Sequence, residues 1–256
     1  MKLSSKLDVR LGSVVDTLEW GPFGIKATTT GGRVYLADQA VITLPLGVLK
    51  AGGVKFIPEL PEEKLTALEQ LGIADAVKLF YRFDTPVFPE GITELYVPGA
   101  NPDEWWSSSR GHGVGYEILT SLATGEKARE LLALPQEVAL KHGLDTLRHA
   151  LNRPDLTPSK MHLAHWKDDP YALGAYSKAS VGASKARSVL AKPVEDRLFF
   201  AGEHTASNAW AATVHGAYAS GRRAAQEIIT ARGQIQPVKS RLSHAYDGVQ
   251  VFIYGA

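Results

Sequence analysis

Between Arg197 and Ala231 the hydrophobic pattern changes period. Leu198, Phe199, Phe200 and Ala201 form a short unbroken apolar run, the signature of a buried strand. The run stops at Gly202, where a sharp turn and a close approach of the backbone are expected. After a loop of small and polar residues a helical pattern begins near Thr213 and continues to about Ala231. Gly216, Ser220, Gly221, Ala224 and Ala225 recur along it, so one side is close to bare backbone and suits tight packing. Its first-turn amides, including those of Thr213 and Val214, have no intrahelical acceptor and point back toward the strand end. They form a site for a negatively polarised group.

The rest of the chain reads as shorter alternating segments. Leu7–Val15 is strand-like; a second segment from Thr17, bent at Gly21-Pro22, ends near Thr30; and Gly31-Gly32 turns the chain into a strand at Arg33–Leu36. Ala40–Leu44 is a continuous apolar run of the kind covered on both faces. A proline-started helix follows at Glu62–Leu71, with acidic residues in its first turn and Gly72 as its stop. Ala76–Phe83 alternates, with Val77, Leu79, Tyr81 and Phe83 on one face and Lys78, Phe80 and Arg82 on the other. Val87–Ala123, rich in Gly, Pro and Trp, reads as irregular. Two helices are expected at Gly125–Leu134 and Pro135–Ala150, with Gly143 a weak point in the second, and a strand at Lys160–Trp166. The tail ends in a short strand-like stretch, Val249–Tyr254, without a functional reading.

Composition narrows the picture. At 256 residues, 45% hydrophobic and a formal charge of +1, the chain can bury a sizeable core and implies no polyanionic partner. Zero cysteine excludes disulfides, thiolate metal sites and a catalytic thiol. The opening Met-Lys-Leu-Ser-Ser-Lys-Leu-Asp lacks the apolar core of a signal peptide, and no run approaches the ~18 apolar residues of a membrane span. A soluble, cytoplasmic chain is therefore favoured, with the compartment open. Gly111-His112-Gly113-Val114-Gly115 lacks the last glycine of GxGxxG and follows no clear strand, so it is not read as a nucleotide loop.

Two blocks in order carry a resemblance: Ala201-Gly202-Glu203-His204-Thr205 and Thr213-Val214-His215-Gly216-Ala217, continued by Ser220-Gly221-Arg222-Arg223. They resemble the AGE(H/A)T turn and TVHGA helix start of the flavin-dependent amine oxidases, the family of monoamine and polyamine oxidases and lysine-specific histone demethylases. Thr43-Leu44-Pro45-Leu46-Gly47-Val48-Leu49 and Trp166-Lys167-Asp168-Asp169-Pro170-Tyr171, running on to Gly174-Ala175-Tyr176, resemble two further segments of the same family. The resemblance covers residues 7 to 232. It implies an α/β fold, the C-terminal half of a two-domain, Rossmann-like FAD-binding amine oxidase with a mixed-sheet substrate domain. In that scheme residues 1–50 and 191–232 belong to the FAD-binding domain, 51–190 to the substrate-binding domain, and 233–256 form a tail.

The same resemblance implies roles. Val15 would lie at the adenine, Gly202 and Glu203 at the cofactor, and the Thr213 and Val214 amides at the flavin pyrimidine edge. Trp166 would pack by the flavin ring, Tyr176 wall the substrate amine, Thr213 also face the substrate, and Lys78 hold a water near flavin N5. An aromatic wall holds a cationic nitrogen by its ring face. Ser177-Lys178 stands where many relatives carry a second tyrosine. Without cysteine the cysteinyl link of some monoamine oxidases is unavailable, so FAD would be non-covalent. The reaction implied is hydride transfer from an amine to the flavin, with O2 reoxidation to hydrogen peroxide. His204 and His215 are left outside the chemistry, because motif histidines on turns and helices are more often structural.

A full family member of roughly 450 residues begins with a GxGxxG strand-turn-helix that takes the pyrophosphate. Neither that motif nor its acidic partner is in this sequence. A truncated product, an excerpt, or one polypeptide of a split enzyme whose partner supplies that half would each fit. Two other classes stay open: an amino-acid oxidase or other flavoprotein of the same fold, for which Arg82 or Arg110 would be the carboxylate-holding candidates, and a non-catalytic remnant.

Overall fold

The structure, a computed structural model, describes residues 7–233. They fall into two compact units, one formed by Ala74–Asp169 and the other by the chain on either side of it. Residues 51–73 and 170–190, which the sequence scheme groups with the substrate segment, pack in the flanking unit.

In the flanking unit, β1 (Val15–Gly21), β2 (Gly24–Thr29) and β3 (Val34–Ala37) form an antiparallel meander, and β5 (Lys55–Ile57) joins β1 in parallel. The strand expected at Leu7–Val15 is absent; the first strand starts at Val15. β4 (Ala40–Ile42) leads through Pro45 into the short helix α1 (Leu46–Lys50). α2 (Glu62–Gln70) begins after Pro61 with Glu62 and Glu63 in its first turn. It does not run to Gly72. Leu71 is fully buried and extended, and Leu71–Ala74 is a strand, β6, paired with β12 (Tyr176–Ala179). Burying Leu71 in that pairing overrides the helix stop expected at the glycine.

α5 (Ala186–Ala191) packs on α2, and the contact is organised by a buried lysine. Lys64 Nζ donates to the carbonyls of Val189 (3.2 Å), Leu190 (2.9 Å) and Lys192 (2.5 Å), and lies 4.1 Å from the Phe200 ring centroid. Burial pushes its pKa down to about 8. The ammonium thus satisfies the C-terminal carbonyls of α5, where a helix is negatively polarised. β13 (Leu198–Phe200) pairs in parallel with β4, and all three of its side chains are fully buried. Each such burial contributes about 1.5–3 kcal/mol. In this register Ala40 and Ile42 bond toward β13, so the N–H and C=O of Val41 face the other edge, where no strand pairs among the described residues.

α6 (Val214–Arg232) buries Gly216, Ser220, Ala224, Ile228 and Ala231. Ala224, Ile228 and Ala231 pack on Phe199 and Ala201. Gly221 and Ala225, expected on this face, lie outside it: a Cβ at Gly221 would meet open space and Ala225 is exposed. The four-residue step selects one narrow stripe, and neighbours one position on rotate away from it.

The second unit is a five-stranded sheet, β11-β7-β10-β9-β8, antiparallel at every junction. Its strands are β7 (Ala76–Phe83), β8 (Glu94–Tyr96), β9 (Glu104–Ser107), β10 (Glu117–Thr124) and β11 (Lys160–His165). Three of the five come from or border the stretch expected to be irregular. The alternation in β7 is as the pattern predicts: Val77, Leu79, Tyr81 and Phe83 are buried in the core with residues of α3 (Gly125–Leu132) and α4 (Gln136–Leu151). Gly143, the weak point of α4, is where the buried Tyr81 hydroxyl reaches the helix and donates to the Leu140 carbonyl at 2.8 Å. A Cβ at Gly143 would collide with that hydroxyl. Among the described residues no helix is long and apolar enough to cross a membrane. The strand expected at Val249–Tyr254 lies outside the described residues.

Candidate functional site

The run Leu198–Ala201 ends at Gly202, whose φ of 129° is open to glycine and strained for other residues. A Cβ there would sit 2.5 Å from His204 Cε1, so the close approach predicted from sequence is to a side chain of the same turn. Gly202 N donates to Ser220 Oγ at 2.8 Å, which ties the turn to the second turn of α6. Arg223, one turn further, donates to the carbonyls of Phe200 and Thr205 and to Thr205 Oγ1. Strand end, 3-10 turn (Glu203–Thr205) and helix are therefore bolted together by hydrogen bonds through two side chains of the helix, Ser220 and Arg223.

Glu203 is the centre of the site. Its Oε1 accepts from Ser177 N at 2.9 Å; its Oε2 accepts from Ser177 Oγ and from Ala212 N, both at 2.7 Å. Arg187, 5% exposed, donates to Ser177 Oγ and to the Ser177 carbonyl, and its guanidinium stands 4.0 Å from Glu203 Oε2. Burial lowers the Arg187 pKa from the usual guanidinium value, and the Glu203 charge opposes that shift. One carboxylate thus joins β12, the turn after β13 and the entry to α6.

Ala212 adopts φ 62°, the left-handed region that costs an ordinary residue about 1–3 kcal/mol. Its amide is held by Glu203 there, and the next residue, Thr213, caps α6. Thr213 Oγ1 accepts from Gly216 N at 3.0 Å and donates to the Trp210 carbonyl at 2.6 Å. A Cβ at Gly216 would strike that same carbonyl, so the loop folds onto the helix only because glycine is there. The amides of Thr213, Val214 and His215 then have no acceptor among the described residues, and the Val214 side chain is 88% exposed. Three N–H groups at the positive end of a nineteen-residue helix form a donor set for an electron-rich edge.

The other expected residues are placed as follows. Tyr176, half-buried, opens β12 immediately before Ser177. Val15, buried at the start of β1, lines a small apolar cavity of about 30 Å³ with Leu18, Val41, Ile42, Leu44 and Val54. Lys78 and Trp166 belong to the second unit. Lys78 projects from the face of β7 away from α3 and α4, level with Leu122 and Ala164, its Nζ 5.7 Å from the Trp106 ring centroid. Trp166, half-buried, follows β11 directly. The structure therefore unites Gly202, Glu203 and the Thr213–Val214 helix start with the strand bearing Tyr176. Sequence reasoning did not find Ser177, Arg187 and Ala212. The departure at Ser177 from the relatives' second tyrosine was the available signal for the first.

His204 is 2% exposed and its pKa is pushed down to about 4, chiefly by burial, which keeps it neutral. His215 is exposed and meets Trp210 edge-on, with ring centroids 5.7 Å apart.

A family profile described as flavin containing amine oxidoreductase matches residues 2–229. The chain belongs to the flavin-containing amine oxidoreductases. Among curated members, polyamine oxidase 4 of Oryza sativa subsp. japonica is 38% identical over 228 residues, 88% of this chain and 46% of that protein. Lysine-specific histone demethylase 1 homolog 3 of the same rice is 35% identical over 254 residues, 94% of this chain and 30% of that one. This family member therefore spans less than half the length of those relatives. Its fold is that of solved amine oxidases: putrescine oxidase bound to putrescine matches with a TM-score of 0.76 at 20% identity, over 85% of this chain and 48% of that one. Cyclohexylamine oxidase from Brevibacterium oxydans IH-35A matches with a TM-score of 0.68 at 20% identity, covering 86% and 48%. Members of the family, by its description, contain flavin and act as amine oxidoreductases.

Proposed function

We propose that this chain forms the flavin-ring side of an amine oxidase that binds FAD non-covalently and oxidises a small-molecule amine. The observation that carries the reading is the set of three acceptor-free amides at Thr213, Val214 and His215, held in place through Glu203. Such donors suit a flavin pyrimidine edge, which gains negative charge on reduction. When bound, the flavin would take a hydride from the carbon beside the amine nitrogen and pass the electrons to O2, giving hydrogen peroxide.

In this reading the protein supplies position and field. Thr213 and Val214 hold the ring edge. Glu203 keeps acceptor capacity for a cofactor hydroxyl beside the three donors it already takes from the chain. Tyr176 walls the amine, Trp166 packs by the ring, Thr213 faces the substrate, and Lys78 positions water. Val15 takes the adenine end. Residues 1–50 and 191–232 serve the cofactor, supported from the 51–190 segment by Ser177 and Arg187 on Glu203, and the remainder of 51–190 serves the substrate, while a segment with GxGxxG, on this or a second polypeptide, takes the pyrophosphate.

A specific observation weighs against an amino-acid oxidase. Arg110 donates to the carbonyls of Phe88, Pro89 and Ile92 and pairs with Glu117, and Arg82 stacks over Tyr116 and pairs with Asp84. The Arg110 guanidinium is committed to these internal partners and is no ready clamp for a substrate carboxylate, whereas Arg82 has a ring contact and one 3.5 Å ion pair, and its Nε makes no hydrogen bond.

The test is to purify the chain, add FAD, and follow its visible absorbance and fluorescence together with peroxide release on adding putrescine or benzylamine. Saturable FAD binding that Val214→Pro weakens supports the reading, because proline removes one of the three amides at a position that tolerates it. FAD binding unaffected by that substitution overturns the assigned edge, and a chain that binds no FAD, alone or with a complementary GxGxxG segment, overturns the function.

A further inference from the structure

We propose that Arg187 and Ser177 are positioning residues that aim the first-turn amides of α6 by fixing the orientation of Glu203. Proton bookkeeping gives the chain of bonds a direction. A guanidinium can only donate, so Ser177 Oγ must accept from Arg187. Its single proton is then committed to Glu203 Oε2. With Ser177 N on Oε1, the carboxylate is gripped from one side through both oxygens, and its remaining bond from Oε2 goes to Ala212 N.

The grip matters because of what Ala212 does. It sits in the left-handed region, an unfavourable conformation for alanine, and it is the last residue before the Thr213 cap. Releasing its amide lets the backbone relax, and relaxation there swings the Thr213, Val214 and His215 amides. Arg187 and Ser177 are both buried, 5% and 3% exposed, and neither has a direct bond to α6. They act through Glu203. The same bonds fix β12, so Tyr176 and the helix end are set in register by one relay.

The experiment compares Ser177→Ala, Arg187→Met and Arg187→Lys with the unaltered chain, using hydrogen exchange at the Ala212 amide, which is bonded to Glu203, without cofactor, and the dissociation constant for FAD. Ser177→Ala and Arg187→Met should speed exchange at Ala212 and weaken FAD by about tenfold, with Arg187→Lys intermediate. The decisive variant is Ser177→Ala combined with Ala212→Gly. Glycine adopts φ 62° without help, so the second change should recover most of the lost affinity while leaving the Ser177 hydroxyl absent. General loss of structure would not be rescued by a glycine. Unchanged exchange at Ala212 in Ser177→Ala, or no recovery by Ala212→Gly where affinity has fallen, overturns the proposal. The affinity arm rests on the flavin-edge reading above, whereas exchange reads the chain alone. Faster exchange in a chain that never binds FAD supports the relay and removes the function.

Discussion

Two glutamates, one in each unit, are built alike and end differently. Glu117, 4% exposed, accepts from Val87 N at 2.5 Å and Phe88 N at 3.1 Å and pairs with Arg110 at 3.3 Å. Glu203 accepts from Ser177 N and Ala212 N and stands near Arg187. Around Glu117 the neighbouring donors close on carbonyls of the same loop, so the cluster is a finished anchor. Around Glu203 the helix next to it keeps three amides without acceptors. A carboxylate that grips main-chain amides is thus no sign of function by itself; what distinguishes Glu203 is that it holds the entry to a helix whose first-turn amides face outward without acceptors among the described residues.

Three measurements would break or sharpen this contrast. The largest effect belongs to Glu117→Ala, which leaves two buried amides without their acceptor and deprives Arg110 of its ion pair, though not of its carbonyl partners. It should lower unfolding free energy in urea by about 3–5 kcal/mol, with Ala212 exchange unchanged under native conditions. If Ala212 responds, the two clusters are not independent.

Acid comes next. His204 has a folded pKa of about 4, below the unfolded value of about 6.5, so the unfolded chain binds the extra proton first. The stability it contributes is complete above about 6.5 and is lost as pH falls through that window to about 4, at no more than about 1.4 kcal/mol per pH unit. Urea midpoints between those pH values should show the slope, and His204→Ala should flatten it. A slope unchanged in that variant would place the acid sensitivity elsewhere.

The smallest effect is Gly143→Ala. Helix propensity favours alanine by about 1 kcal/mol, yet the Tyr81 hydroxyl occupies the space its methyl needs. A net loss of about 1–2 kcal/mol is expected, and adding Tyr81→Phe should return part of it. A stabilised Gly143→Ala would mean that the core around Tyr81 yields easily.

What the sequence revealed of this molecule follows from how local each signal is. β13 and α6 were legible because a fully apolar run and a four-residue small stripe are patterns within one segment. β8 and β9 were hidden because they are three and four residues long among glycines and prolines. In β10, Thr120 and Ser121 are 1% and 0% exposed, so buried hydroxyl residues broke the apolar pattern that a strand search relies on. The Glu203 cluster was half legible. Its turn motif is contiguous, whereas Ser177 lies 26 residues upstream, and Ala212 takes its role from a backbone angle that nothing in its side chain announces.

The outer edge of β4 has one more consequence. Among the described residues no strand pairs with the second side of this parallel pair, so the N–H and C=O of Val41 form an open zipper for another extended segment. If that edge is what associates, solutions of this chain show a concentration-dependent rise in particle size that Val41→Lys blunts.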